Sequence, residues 1–182
     1  MRAEVAHVLA EPRLSQAWDM YSAAFADLRA AAAQRHVMNQ AEFRQVMRDG
    51  RVGKHFAASD DGDRIAALAT FTNDLDAMPL ISPEFFARRW PRLYAQRRIW
   101  YLGFFAIDPT QRGGGLFEKV IAQMWEPIVR EGGIAALDVC AQNVAVGLPA
   151  AIERTLRALT PEMVAECVDT QSYWAFGLGD MQ

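Results

Sequence analysis

Ile107-Asp108-Pro109-Thr110-Gln111-Arg112-Gly113-Gly114-Gly115-Leu116-Phe117 is the stretch on which the reading of this chain turns. It follows an aromatic, strand-like run from Ile99 to Ile107 and precedes a helical pattern from Phe117 to about Arg130. A strand, a glycine-rich turn and a helix start, in that order, build an anion site. The first amides of a helix have no intrahelical acceptor, and the helix dipole adds partial positive charge there. Consecutive glycines let that backbone approach a phosphate with no side chain in between. Two familiar phosphate loops do not fit. No Lys-Ser or Lys-Thr follows the glycines, as a P-loop requires, and the third glycine of a dinucleotide fingerprint is missing.

The stretch instead resembles the acyl-CoA loop of the GNAT superfamily of N-acyltransferases. That loop runs hydrophobic-x-Pro-x-x-Arg-Gly-x-Gly-x-Gly/Ala and opens a helix after the fourth strand. Ile107, Pro109, Arg112, Gly113 and Gly115 match in frame, while Phe117 stands where Gly or Ala is usual. Downstream, Leu137-Asp138-Val139 through Asn143 is similar to the family's fifth strand and the Asn after it. The resemblance is specific over residues 99–143 and only topological elsewhere.

Bulk properties are those of one globular domain spanning residues 1–182. Hydrophobic residues make up 52% and charged residues 23%, enough to bury a sizeable core. A formal charge of −3 leaves no footprint for nucleic acid. Cys140 and Cys167 both lie in apolar, strand-like runs and read as small core residues in a reducing compartment. Neither a signal peptide nor a membrane-spanning run is legible, so a cytoplasmic protein is expected. No metal-binding pattern is read, and no metal is expected.

Along the chain, Ala3–Leu9 reads as a first strand. Residues from Ser15, a plausible N-cap, to about Arg35 read as a helix. Asn39 with Glu42 has the form of a capping box, opening a helix to Arg48 that Asp49-Gly50 ends. Arg51–Ser59 and Arg64–Thr72, joined by Asp60-Asp61-Gly62-Asp63, read as a hairpin. Ser82-Pro83 starts a further helix with an aromatic face broken by Pro91, and Pro127 is expected to kink or end the helix after the glycines. Ala135–Cys140 reads as a buried strand and Val144–Leu159 as a helix that starts late. Met163–Val168 and Tyr173–Leu178 read as a terminal hairpin. The order is βααβββαβαββ: an α/β, GNAT-like mixed sheet of about seven strands, with an added helix before the fourth.

What the resemblance implies is transfer of an acyl group, acetyl in the first instance, from acetyl-CoA or another acyl-CoA to a primary amine in a ternary complex. The amides of Arg112, Gly113, Gly114, Gly115, Leu116 and Phe117 would bind the pyrophosphate. The pantetheine arm would pair with the main chain at Phe105, Ala106 and Ile107, in the wedge where the fourth and fifth strands part, and Asn143 would close the donor site. Family members often carry an acidic Tyr seven residues after that Asn; here the position is Ala150. Tyr173 and Tyr101 are the replacements to consider. Asp138 is the leading carboxylate for a proton acceptor, with His55 and His36 as alternatives, and Asp74 and Asp76 could hold a cationic acceptor. Acceptor recognition is expected from residues 29–40 and 73–98, the latter rich in arginine and aromatics and equally suited to a lid, a homodimer surface or a solvated helix. The acceptor is a small-molecule or peptide amine. Two rival readings stay open: a non-catalytic GNAT-fold CoA-binding or regulatory module, and an α/β domain that acts through its aromatic surface at 85–94.

Overall fold

The computed structural model describes residues 2–28, 37–58, 64–78, 81–111 and 115–177. Among them five strands form one sheet in chain order: β1 (Arg2–Ala6), β2 (Gly53–Ala58), β3 (Ile65–Thr72), β4 (Ile99–Ile107) and β5 (Ile134–Ala136). The first four are antiparallel neighbours, and β4 and β5 are parallel. Every residue of β2 and β3 is buried, because helices cover both faces of the sheet.

On one face lie α1 (Arg13–Ala24) and α2 (Gln40–Arg48). Tyr21 of α1 packs at 4.9 Å ring to ring against both Phe43 of α2 and Phe104 of β4, so three elements meet in one aromatic cluster. The start of α2 is as read: Asn39 Oδ1 accepts from the Glu42 amide at 3.0 Å, and Glu42 accepts from the Asn39 amide at 2.8 Å. The start of α1 is not. The helix begins two residues before Ser15, and the Glu11 carboxylate accepts from both the amide and the hydroxyl of Ser15. A carboxylate one turn back satisfies the amide of Ser15 itself, inside the first turn of the helix.

The other face is covered by α5 (Leu116–Glu131). Two short helices, α3 (Pro83–Arg89) and α4 (Pro91–Ala95), divided at Trp90-Pro91, precede β4. Leu116, Val120, Met124 and Ile128 recur at helical spacing and lie on Ala57, Ala67, Ala69, Phe71 and Leu102 of the sheet. Small residues on β2 and β3 bring the helix close. Pro127 does not end this helix, which runs four residues further, to Glu131, and stops at Gly132 (φ 60°). Burial on both sides of the proline holds the turn together despite one lost hydrogen bond.

One buried charge ties a corner of the sheet. Lys54 is fully buried, and its ammonium donates to the carbonyls of His7, Asp49 and Val52 at 2.8, 2.7 and 2.7 Å. Burial pushes its pKa down to about 8, so it still carries its charge at neutrality. Its three protons find three acceptors, joining the residues after β1, after α2 and before β2.

The C-terminal third departs from expectation. Strand β5 spans three residues where six were expected, and the late helix is two: α6 (Ala141–Ala145) and α7 (Leu148–Leu159), separated at Gly147 (φ 83°). The hairpin expected from Met163 onward does not form within the described residues; 161–177 contain no strand, so the sheet has five strands there and not seven. Val164, Trp174 and Phe176 are 79–90% exposed. Alternating residues favour a strand only where a pleated, half-buried surface receives them. Cys140 is buried as expected, but Cys167 is exposed. No helix among the described residues is long and apolar enough to cross a membrane.

Candidate active site

The β4–β5 pairing lasts three rungs: Ile99↔Ile134, Trp100↔Ala135 and Tyr101↔Ala136. Beyond it β4 continues for six residues, Leu102 to Ile107, paired among the described residues to β3 alone. Midway the register slips. Phe71 opposes Leu102 and Thr70 opposes Phe104, leaving Gly103 as the extra residue of a bulge. A larger residue would crowd this point, since a Cβ there would lie 2.4 Å from Met78 Cε and 2.7 Å from Thr70 Oγ1. A bulged strand with one unpaired edge offers main-chain groups to an extended ligand.

The far end of that edge is pinned by Asp108. Its amide donates to the Ala66 carbonyl at 2.8 Å. One carboxylate oxygen accepts from the amide and hydroxyl of Thr110, at 2.9 and 2.7 Å, and the other from Arg64 at 2.5 Å. Burial alone would raise this carboxyl, but the hydrogen bonds from Thr110 and Arg64 outweigh it and hold the pKa below its usual value. The Asp-Pro-Thr order is an Asx-turn signal that the sequence carried and that the reading above passed over. Arg112, Gly113 and Gly114 lie outside the described residues. Gly115 follows at φ 71°, with open space where a Cβ would stand, and α5 begins beside it with Leu116 anchored in the core. The Phe117 ring packs edge-on against Phe105 at 5.1 Å, so its bulk turns toward β4.

At the near end, where β4 and β5 part, the Tyr101 hydroxyl donates to Asp138. Tyr101 is 4% exposed, and burial together with Asp138 pushes its phenol well above the usual tyrosine value. Asp138 is not inside a strand, as the sequence suggested. It stands exposed two residues past β5, because the strand ends at Ala136. The sequence could not reveal this pairing, which depends on the parallel register of two strands separated by a helix.

Other expected residues are scattered. Tyr173 is 56% exposed, in a segment that forms no strand among the described residues. His55 is buried on β2 with its ring edge-on to Phe71; burial lowers its pKa, with Gln123 opposing that shift, and Nδ1 has no hydrogen-bond partner. His36 lies outside the described residues. Asn143 sits half-buried in α6, and Ala150 is exposed in α7. Asp74 and Asp76 do converge. They line a cavity of about 240 Å³ with Tyr94, Arg97 and Ile99, and Arg97 lies 3.7 Å from the Asp74 carboxylate.

The sequence matches no protein-family model, and no curated protein matches it. Solved structures do match. An aminoglycoside acetyltransferase from an uncultured soil metagenomic sample superposes with a TM-score of 0.55 at 11% identity, covering 96% of each chain. A Bacillus halodurans protein gives 0.56 at 14%, over 97% of this chain and 99% of the other. The chain has the GNAT fold.

Proposed function

We propose that the protein is an acyl-CoA-dependent N-acyltransferase, moving an acyl group, acetyl in the first instance, directly to a primary amine. The observation that carries this reading is the parting of β4 and β5 after three rungs, beside a glycine-rich turn that enters α5. The amides of residues 112–117 would hold the pyrophosphate, where the open left-handed backbone at Gly115 leaves room for it. The pantetheine would run along Phe105, Ala106 and Ile107 as a strand-like neighbour to the free edge of β4, with Asn143 at the mouth of the wedge. The bulge at Gly103 displaces a peptide unit beside the thioester, where a backbone N–H would stabilise the tetrahedral oxyanion. For the acceptor, the mixed-charge cavity at Asp74 and Asp76 supports a cationic amine. A structural neighbour, the soil aminoglycoside acetyltransferase, is solved with sisomicin, an amine of that kind.

Calorimetry with acetyl-CoA tests the donor site. Wild-type protein should bind it, and Gly113→Glu should bind at least about tenfold more weakly with an unchanged circular dichroism spectrum, because a carboxylate would face the pyrophosphate. Equal affinity in the two proteins removes the loop from the donor site. Release of free thiol on adding an amine then separates an enzyme from a CoA-binding module.

A further inference from the structure

Tyr101 occupies the last rung that β4 shares with β5, and its side chain is buried among Leu75, Phe86 and Ile99. Its hydroxyl needs a partner, and it takes the exposed carboxylate of Asp138 just past the end of β5. The arrangement places a solvent-accessible carboxylate, oriented from beneath by a buried donor, where the two strands separate. Two further carboxylates face arginines: Asp74 lies 3.7 Å from Arg97, and Glu166 lies 2.5 Å from Arg89. His55 lies on β2, with β3 between it and β4.

We propose that Asp138 takes the proton from the incoming ammonium, with Tyr101 as the positioning residue that fixes the carboxylate at the parting of the strands. This deepens the acyltransferase reading and rests on it. The ammonium gives one proton to Asp138, and the freed lone pair forms the C–N bond at the thioester carbon. The C–S bond breaks with its electron pair on sulfur, and the second nitrogen proton goes to that thiolate. Asp138, open to water, then releases its proton. In sum, an ammonium and an acyl thioester become an amide, a thiol and one proton. Tyr101 keeps its own proton throughout, in line with the upward push that burial and Asp138 give its phenol. Losing that donor would remove the contact from Tyr101 that helps to orient the carboxylate.

The test uses the full chain, acetyl-CoA and two small amines at high concentration: methylamine, which arrives protonated, and hydroxylamine, a weak base that arrives largely as the free amine. Thiol release is measured alongside calorimetric binding of acetyl-CoA. Asp138→Asn should bind acetyl-CoA within about twofold of wild type, and should lose roughly a hundredfold or more in kcat/KM with methylamine but under about tenfold with hydroxylamine. Asp138→Glu should recover part of the methylamine rate. Tyr101→Phe should lower kcat with methylamine about tenfold at unchanged KM for acetyl-CoA. Wild-type rates in Asp138→Asn, or equal losses with both amines, overturn the assignment even if Tyr101→Phe fails to fold. A wild-type protein that binds no acetyl-CoA overturns the acyltransferase reading along with it; one that binds but releases no thiol with either amine leaves a CoA-binding module and overturns the proton step.

Discussion

Strands β3 and β5 flank the same strand, β4, yet they are built on opposite terms. All eight residues of β3 are buried, paired along their length and covered on both faces. Strand β5 has three residues, none fully buried, and α7 beyond it has no buried residue either. One flank of β4 is scaffold and the other is an opening. The difference teaches where rigidity is needed. An edge that must receive a ligand cannot also be filled by a strand, so its stability has to come from the opposite side.

That contrast can be broken by experiment. The largest effect belongs to the scaffold: Phe43→Ala, fully buried in the aromatic cluster, should cost about 3–5 kcal/mol in denaturant unfolding. A cost below about 1 kcal/mol would mean that this flank does not carry the fold. Gly103→Ala probes the boundary. The added methyl must displace Met78 and Thr70, and the expected loss is about 1–3 kcal/mol. An unchanged midpoint would show that the bulge has room that the packing denies it. The smallest effect belongs to the open flank. Trp174→Ala, at 79% exposure, should change stability by less than about 0.5 kcal/mol. A loss beyond about 1 kcal/mol would place the C-terminal segment in the packed structure.

Much of the scaffold was legible because its signals are local. The capping box at Asn39, the Ser82-Pro83 start and the run Ile99–Ile107 each specify structure within a few residues, and each forms where it was read. The helix after the glycines was legible for the same reason and starts at Leu116, while Arg112, Gly113 and Gly114 lie outside the described residues. The β2–β3 pairing was read from two strand-like runs flanking Asp60-Asp61-Gly62-Asp63; the strands pair, and that connection lies outside the described residues. What failed depended on partners far along the chain. Residues 163–176 have a strand's composition, but composition cannot say whether a sheet edge will receive them. The Asp138 carboxylate was singled out for being inside a strand that ends before it. Its partner, Tyr101, lies 37 residues away and is brought near only by the three-rung register. Serine 15 lost its expected cap role to a carboxylate one turn earlier, a competition that residue-by-residue preference does not weigh.

Only two of the chain's nineteen basic residues counted as Lys or Arg are lysines, Lys54 and Lys119, and the cage of three carbonyls removes the first from solution chemistry. Lys119 alone presents a side-chain primary amine at the surface, one turn into the helix that follows the glycines. Were the chain to handle acyl thioesters, as proposed, Lys119 would be the one lysine amine its surface offers them, since guanidinium groups hold their protons and do not compete.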